Sequence, residues 1–221
     1  DDNSLKIFKA FQNIATSFFE LKEYNKLQGQ FTKELVGSII RLLEMHDQYT
    51  KGHSENVAKT AADIAEQMAL SQDKITDTYW AGMVHDLGKL IIPLKILNKE
   101  GTLSDSEYDL IKNHPYWGYK ALNDSKVLKP IAKYVLYHHE RWDGKGYPEG
   151  LRKNEIPLIS QILSVADAWD AMTSKRSYRA PLSEEEAFKE LLKNKGKQFS
   201  PQVIEVFIDM KENQDISNYV G

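Results

Sequence analysis

The chain has 221 residues, 41% of them hydrophobic, with a formal net charge of −3 and no cysteine. That is enough apolar material for one large domain, or one domain plus an extension, and it rules out a disulfide framework, a thiolate metal site and a cysteine nucleophile. The slight acidity, with no stripe of Lys and Arg interleaved with aromatics, excludes a nucleic-acid-binding module, so an anionic ligand would have to meet a local cluster of basic residues.

Taken in chain order, residues 1–44 read as an N-terminal amphipathic helical extension. Ile7, Ile14, Leu21, Leu35 and Leu42 recur at heptad spacing, interleaved with Phe11, Phe18 and Ile39. The seam is broken at Asn25, Gln28, Gly29 and Thr32. It admits two readings: a helix packed on its own domain, or a stalk that pairs with a second copy into a homodimer and relays a signal. Residues 45–221 read as the main domain. Helices are predicted over 53–70 and 73–88. "SDSE" (104–107) and "SEEE" (183–186) are capping boxes, with Ser opening a helix and Glu three residues on. The runs 126–139 and 157–174 are helical by periodicity, and "SPQV" (200–203) places Ser at an N-cap and Pro at the first helical position. The loop dense in breakers is "DGKGYPEG" (143–150). Candidate strands are few, and the fold class is all-α.

No apolar run approaches the ~20 residues that span a bilayer, and no signal peptide is present. The lack of cysteine fits a cytoplasmic location. The chain opens on Asp1, as expected of a piece of a longer protein with upstream domains.

The chemistry concentrates in histidines and aspartates. "WAGMVHDLGKL" (80–90) sets His85 beside Asp86 in an apolar helical run, and His138 and His139 are adjacent. Asp167 lies in "LSVADAWDAM", where an unpaired carboxylate would cost several kcal/mol to bury. A metal ion would compensate it. Imidazole and carboxylate without sulfur suit Fe, Mn, Ni or Zn, and one carboxylate can bridge two ions about 3.5–4 Å apart.

"VHDLGK" resembles the signature of the HD phosphohydrolase superfamily. "HHERWDGKGYPEGL" (138–151) resembles its HD-GYP subfamily, with Gly146, Tyr147 and Pro148 as the name-giving triplet. "DQYTKGHSENVA" (47–58), "IKNHPYWGY" (111–119) and "IPLISQILSVADAWDAMTSKRSYR" (156–179) follow the same family in order, so the resemblance covers roughly residues 44–210. It implies an HD-type helical bundle that binds and hydrolyses the bacterial second messenger cyclic di-GMP. It also implies two divalent ions, Fe or Mn in preference to Ni or Zn. His53, His85, Asp86 and Asp167 would hold one ion. Asp86, His114, His138 and His139 would hold the other, with Asp86 bridging. The pattern favours Asp167 over Asp170 as ligand and gives His46 no role. A third ion in some members needs a Glu where this chain has Tyr49, so two are expected.

The resemblance also implies groups around the phosphates. Lys89 would offset charge growing on phosphorus-bound oxygens; Gly88, read from the sequence itself, either lets the backbone approach closely or ends the helix. Arg176 and Arg179 would contact substrate, being shaped for bidentate phosphate or guanine contacts; the bland alternative is a helix C-cap. Asp143, Lys145 and Tyr147 belong to a loop beside the ligand, which is also a docking surface for cyclic di-GMP synthase domains. Trp117 and Trp142 read as core or support, and Ser54 as tightening a helix start.

The expected activity is phosphodiesterase: metal-activated water attacks phosphorus, the ribose 3′ oxygen leaves, and the product is pGpG, with GMP after a second cut. Lys89 and the bridging Asp86 are the expected catalytic groups. Two alternatives stay open, a non-catalytic cyclic di-GMP receptor and an HD hydrolase of another nucleotide phosphoester.

Overall fold

Ser104 and Ser183 each open a helix with a reciprocal capping box. Glu107 N donates to Ser104 Oγ at 3.3 Å while Glu107 Oε2 takes Ser104 N–H at 2.8 Å, and Glu186 does the same for Ser183 at 3.3 and 2.9 Å. The computed structural model describes residues 52–99, 101–126, 128–174 and 180–219, together with residues 34, 37, 38, 40 and 44. The helices are α1 (His53–Gln67), α2 (Gln72–Val84), α3 (Leu94–Leu97), α4 (Asp105–Lys112), α5 (His114–Asn123), α6 (Lys129–Leu136), α7 (Leu158–Thr173), α8 (Glu184–Lys193) and α9 (Pro201–Tyr219). Short 3-10 turns occupy Leu87–Ile91 and Lys153–Glu155. Among the described residues there is no strand, only an isolated bridge between Lys195 and Phe199. The fold is all-α, as the periodicity predicts.

The chain divides into two compact units, Asp1–Ile40 and Arg41–Gly221, and the helices above belong to the second. Every residue named in the heptad seam lies outside the described residues, as do His46, Tyr49, Arg176 and Arg179. No helix among the described residues is long and apolar enough to cross a membrane.

The core forms where α1 and α7 pack together. Val57, Ala58, Ala61 and Ile64 of α1 and Ile162, Leu163, Val165 and Ala166 of α7 are fully buried. The small residues on α1 let the two helices approach closely. α8 and α9 close the bundle through an aromatic cluster, in which Trp169 lies 4.9 Å from Phe188 and 5.0 Å from Phe207 between ring centroids. The start of α1 is held by the buried Glu44, which accepts the N–H groups of Gly52 at 2.8 Å and Ser54 at 3.0 Å. Those donors have no partner within the helix, so the carboxylate caps it.

Three predicted boundaries shift. The first helix stops at Gln67, because Ala69 adopts a left-handed φ of 54°. The second stops at Val84, and the chain tightens into a 3-10 turn that carries Lys89. The run 126–139 is helical only over Lys129–Leu136, leaving His138 and His139 in the turn that follows. Helix α5, one residue beyond α4 with Pro115 in its first turn, was not separable from the pattern around it.

Candidate metal centre

Three helices end the same way. His85, His114 and His138 each turn Nδ1 onto a carbonyl three residues back, in the last turn of α2, α4 and α6. The distances are 2.7 Å to Gly82 O, 2.8 Å to Ile111 O and 2.6 Å to Val135 O. A carbonyl only accepts, so Nδ1 carries the proton in each ring and Nε2 presents a lone pair. The last carbonyls of a helix lack intrahelical partners. Each histidine satisfies one of them and is oriented by it, and three electronegative helix ends meet around the rings.

His53, which opens α1, is oriented differently. Its Nδ1 lies 2.6 Å from Asp170 Oδ2, and Asp170 Oδ1 accepts from Asn56 Nδ2 at 2.9 Å and Ser174 Oγ at 2.8 Å. The other nitrogen, Nε2, faces Asp167 Oδ1 at 3.3 Å and Asp86 Oδ2 at 3.9 Å. Asp167 and Asp170 share α7 one turn apart, so one ring receives a carboxylate on each side.

Asp86 sits between two groups of rings. Its Oδ1 is 3.3 Å from His114 Nε2, and its Oδ2 is 3.4 Å from His85 Nε2. The ligand atoms of His53, His85 and Asp86 all lie within 4.8 Å of one another, and so do those of His114, His138 and His139. His138 and His139 are adjacent in sequence yet both face inward, with ring centroids 4.0 Å apart. A helix would splay neighbouring side chains around its axis; the turn after α6 does not.

The chemistry of these residues fits divalent metal. His85 Nε2 is buried without a hydrogen-bond partner. His114 Nε2 and His138 Nε2 stand 3.4 Å apart, and with the proton of each ring on Nδ1 that brings two lone pairs face to face. Such an arrangement is repulsive unless a cation lies near both, and neutral imidazole with carboxylate suits borderline metals.

Charge follows the same division. Burial drives the pKa of His114 down to about 3 and that of His139 to about 4, and pushes His138 far below the ordinary value. These rings are neutral and their lone pairs available. Burial disfavours charge on His53 too, but hydrogen bonds to Asp167 and Asp170 outweigh it and push its pKa up to about 10. Burial would raise the carboxyls of Asp86 and Asp167. The Lys89 ammonium overcomes this at Asp86, and His53 does so at Asp167, so both are held well below the usual carboxylate range.

Lys89 reaches back to Asp86 Oδ2, with Nζ at 2.6 Å. The turn that carries it lies so close to α5 that a Cβ on Gly88 would fall 1.9 Å from His114 O. Close approach, not a turn conformation, requires glycine there. The 143–150 loop presses on the other side. Tyr147 lies against His139, with centroids 5.0 Å apart and planes at 35°, and a Cβ on Gly146 would meet His139 O at 2.6 Å. Asp143 is occupied within the loop, its carboxylate accepting from Arg141 Nε at 3.1 Å, Arg141 Nη2 at 2.9 Å and Lys145 N at 3.1 Å. Lys145 is exposed, and Trp117 and Trp142 are half-buried. Glu140 was not singled out by the sequence. Buried, it accepts the N–H groups of Glu149 at 2.7 Å and Gly150 at 3.0 Å and so pins the loop. Its place directly after His139 was the available signal. A cleft of about 590 Å³ opens beside His139 and Tyr147.

Residues 37–203 match the family described as HD domain. The chain is 41% identical over 189 residues to a cyclic di-GMP phosphodiesterase of Thermotoga maritima, an alignment covering 84% of this chain and 51% of that protein. It is 35% identical over 199 residues to the 3′3′-cGAMP-specific phosphodiesterase 2 of Vibrio cholerae, covering 89% of this chain and 38% of that one. A crystal structure of a cyclic GMP-AMP specific phosphodiesterase from V. cholerae superposes with a TM-score of 0.63 at 22% identity, covering 81% of this chain and 48% of the other. The chain thus spans about half or less of the length of these relatives.

Proposed function

The chain belongs to the HD domain family, and we propose that it is a metal-dependent phosphodiesterase that hydrolyses cyclic di-GMP. The observation that carries this reading is Asp86, with one oxygen toward His114 and the other toward His85. Names of the relatives support the substrate class.

In this reading His53, His85, Asp86 and Asp167 hold one ion, and Asp86, His114, His138 and His139 hold the second, with Asp86 bridging. When bound, the two ions activate a water and polarise the phosphodiester; iron and manganese suit this donor set. The Nδ1 bonds of His85, His114 and His138 fix the rings, so their lone pairs need no reorganisation. Asp170 does the same for His53. Lys89, whose ammonium lies beside Asp86, would stabilise the charge growing on the phosphate oxygens. A new P–O bond forms to the water oxygen, the bond to the ribose 3′ oxygen breaks, and linear pGpG is released. A second cut gives GMP. Asp143 orders the loop, Lys145 and Tyr147 border the ligand, and Arg176 and Arg179 supply bidentate phosphate or guanine contacts.

Three wider proposals extend this reading. Cyclic di-GMP synthase domains dock on the 143–150 loop, where Lys145, Pro148 and Glu149 are exposed. Residues 1–44 form a separate helical extension that pairs two copies, which the heptad spacing supports. The cysteine-free composition supports a cytoplasmic location.

The experiment is incubation of metal-analysed protein with cyclic di-GMP and Fe(II) or Mn(II) under anaerobic conditions, products being followed by chromatography beside Asp86→Asn. Appearance of pGpG only with the intact carboxylate and bound metal supports the reading. Binding without cleavage establishes a receptor instead. Cleavage of 3′3′-cGAMP in preference to cyclic di-GMP, a reading the V. cholerae relative favours, moves the substrate.

A further inference from the structure

His53 is the first residue of α1, where a helix holds a side chain least firmly. The N-cap residue before it, Gly52, has a left-handed φ of 78° and no side chain with which to cap. The first N–H groups of a helix have no acceptor within it, and glycine adds backbone freedom at the point of entry. A histidine at such an end frays unless its backbone is tied down from outside the helix.

We propose that Glu44 is a positioning residue for the metal centre: by clamping the backbone on both sides of His53, it sets where Nε2 of that ring stands. The proposal rests on the two-ion reading above.

The clamp uses both carboxylate oxygens. Glu44 Oε2 accepts from Gly52 N at 2.8 Å and Oε1 from Ser54 N at 3.0 Å, so the two bonds straddle the one residue between them. Glu44 and Ser54 are both buried, and a bond lost there is not readily replaced by water. The ring is restrained separately, with Nδ1 against Asp170 Oδ2. Asn56 joins the two restraints, its backbone N donating to Gly52 O at 3.1 Å and its Nδ2 to Asp170 Oδ1 at 2.9 Å. Without Asp170 the ring is free to rotate on a fixed backbone. Without Glu44 the backbone itself is released, and Nε2 loses its place opposite Asp167 and Asp86. His85, His114 and His138 do not depend on such a distant contact, because each is oriented by a carbonyl three residues back. Loss of Glu44 therefore bears on the ion at His53 and spares the one at His114, His138 and His139. A helix cap with no further role differs, because its removal lowers stability but leaves the folded site unchanged.

The test titrates metal-depleted protein with Mn(II) alone by calorimetry, wild type against Glu44→Ala and Glu44→Gln. The imidazole nitrogens are followed by NMR before metal is added. In Glu44→Ala one of the two stepwise binding constants should weaken on the order of tenfold or more, with the other nearly unchanged. The His53 ring resonances should shift while those of His114 and His138 stay in place. Glu44→Gln keeps one acceptor oxygen and turns amide donors toward the other N–H. It should show the same pattern at about threefold, and it decides the matter if Glu44→Ala does not fold. Unchanged constants in folded variants overturn the proposal, make Glu44 a helix cap alone and leave the two-ion reading standing. Equal weakening of both constants also overturns it, because that is a general loss of structure. A wild type that binds fewer than two ions sinks the two-ion reading and the proposal with it.

Discussion

Asp170 takes the Nδ1 side of His53 at 2.6 Å, while Asp167, one turn earlier on the same helix, meets the ring at Nε2. The two carboxylates therefore have different tasks. Asp167 lies on the Nε2 side, which also faces Asp86, and Asp170 orients the ring from behind. Asp170→Asn should weaken metal binding by about 10–100-fold while keeping two ions per chain at saturation. Asp167→Asn should remove a direct ligand and lose stoichiometry. Equilibrium dialysis with elemental analysis separates the two.

The metal-free protein should be most stable near pH 6.5. The folded-state values of His114 and His139, about 3 and about 4, lie below the ordinary 6.5. As pH falls below 6.5 the unfolded chain takes protons that the folded rings refuse, and stability is lost. His53 works in the opposite sense. Its folded value of about 10 means that its contribution is complete below 6.5 and is lost as pH rises from there towards 10. Each group changes stability by at most about 1.4 kcal/mol per pH unit. Thermal unfolding of chelated protein from pH 4.5 to 9.5 should show a maximum between the two limbs. Added metal should flatten the alkaline limb, because a cation then takes the place of the proton on His53.

Gly88→Ala should be costly out of proportion to one methyl group. The new Cβ would meet the His114 carbonyl and the Gly118 backbone nitrogen, at 1.9 and 2.7 Å, and backbone cannot swing aside as a side-chain tip can. A loss of about 3 kcal/mol or more is expected. His114 should shift with it, so metal content falls together with the melting temperature. Calorimetry and metal analysis of the same sample check both.

Glu140→Ala should free the 143–150 loop. It leaves the N–H groups of Glu149 and Gly150 without their acceptor, at a cost of about 1–3 kcal/mol. Amide hydrogen exchange at those residues should rise, with α7 unchanged.

Local chemistry made much of this legible in the sequence. Ser104 and Ser183 announce their helices through Glu107 and Glu186, because a capping box closes within four residues. His85–Asp86 and His138–His139 stand out because polar pairs are rare in apolar runs. What escaped depends on contacts between distant segments or on backbone detail. The end of α6 is set where His138 takes the Val135 carbonyl, and periodicity does not register that. Arg141 and Gln198 lie 57 positions apart, with no local pattern tying one to the other.

The measurement that tests the central claim most directly is anomalous diffraction at the metal edge from crystals grown with Mn(II). Two peaks about 3.5–4 Å apart, one toward His53 and His85, the other toward His114, His138 and His139, with an oxygen of Asp86 on each, are the predicted result. A single peak, or two that do not share Asp86, would contradict it.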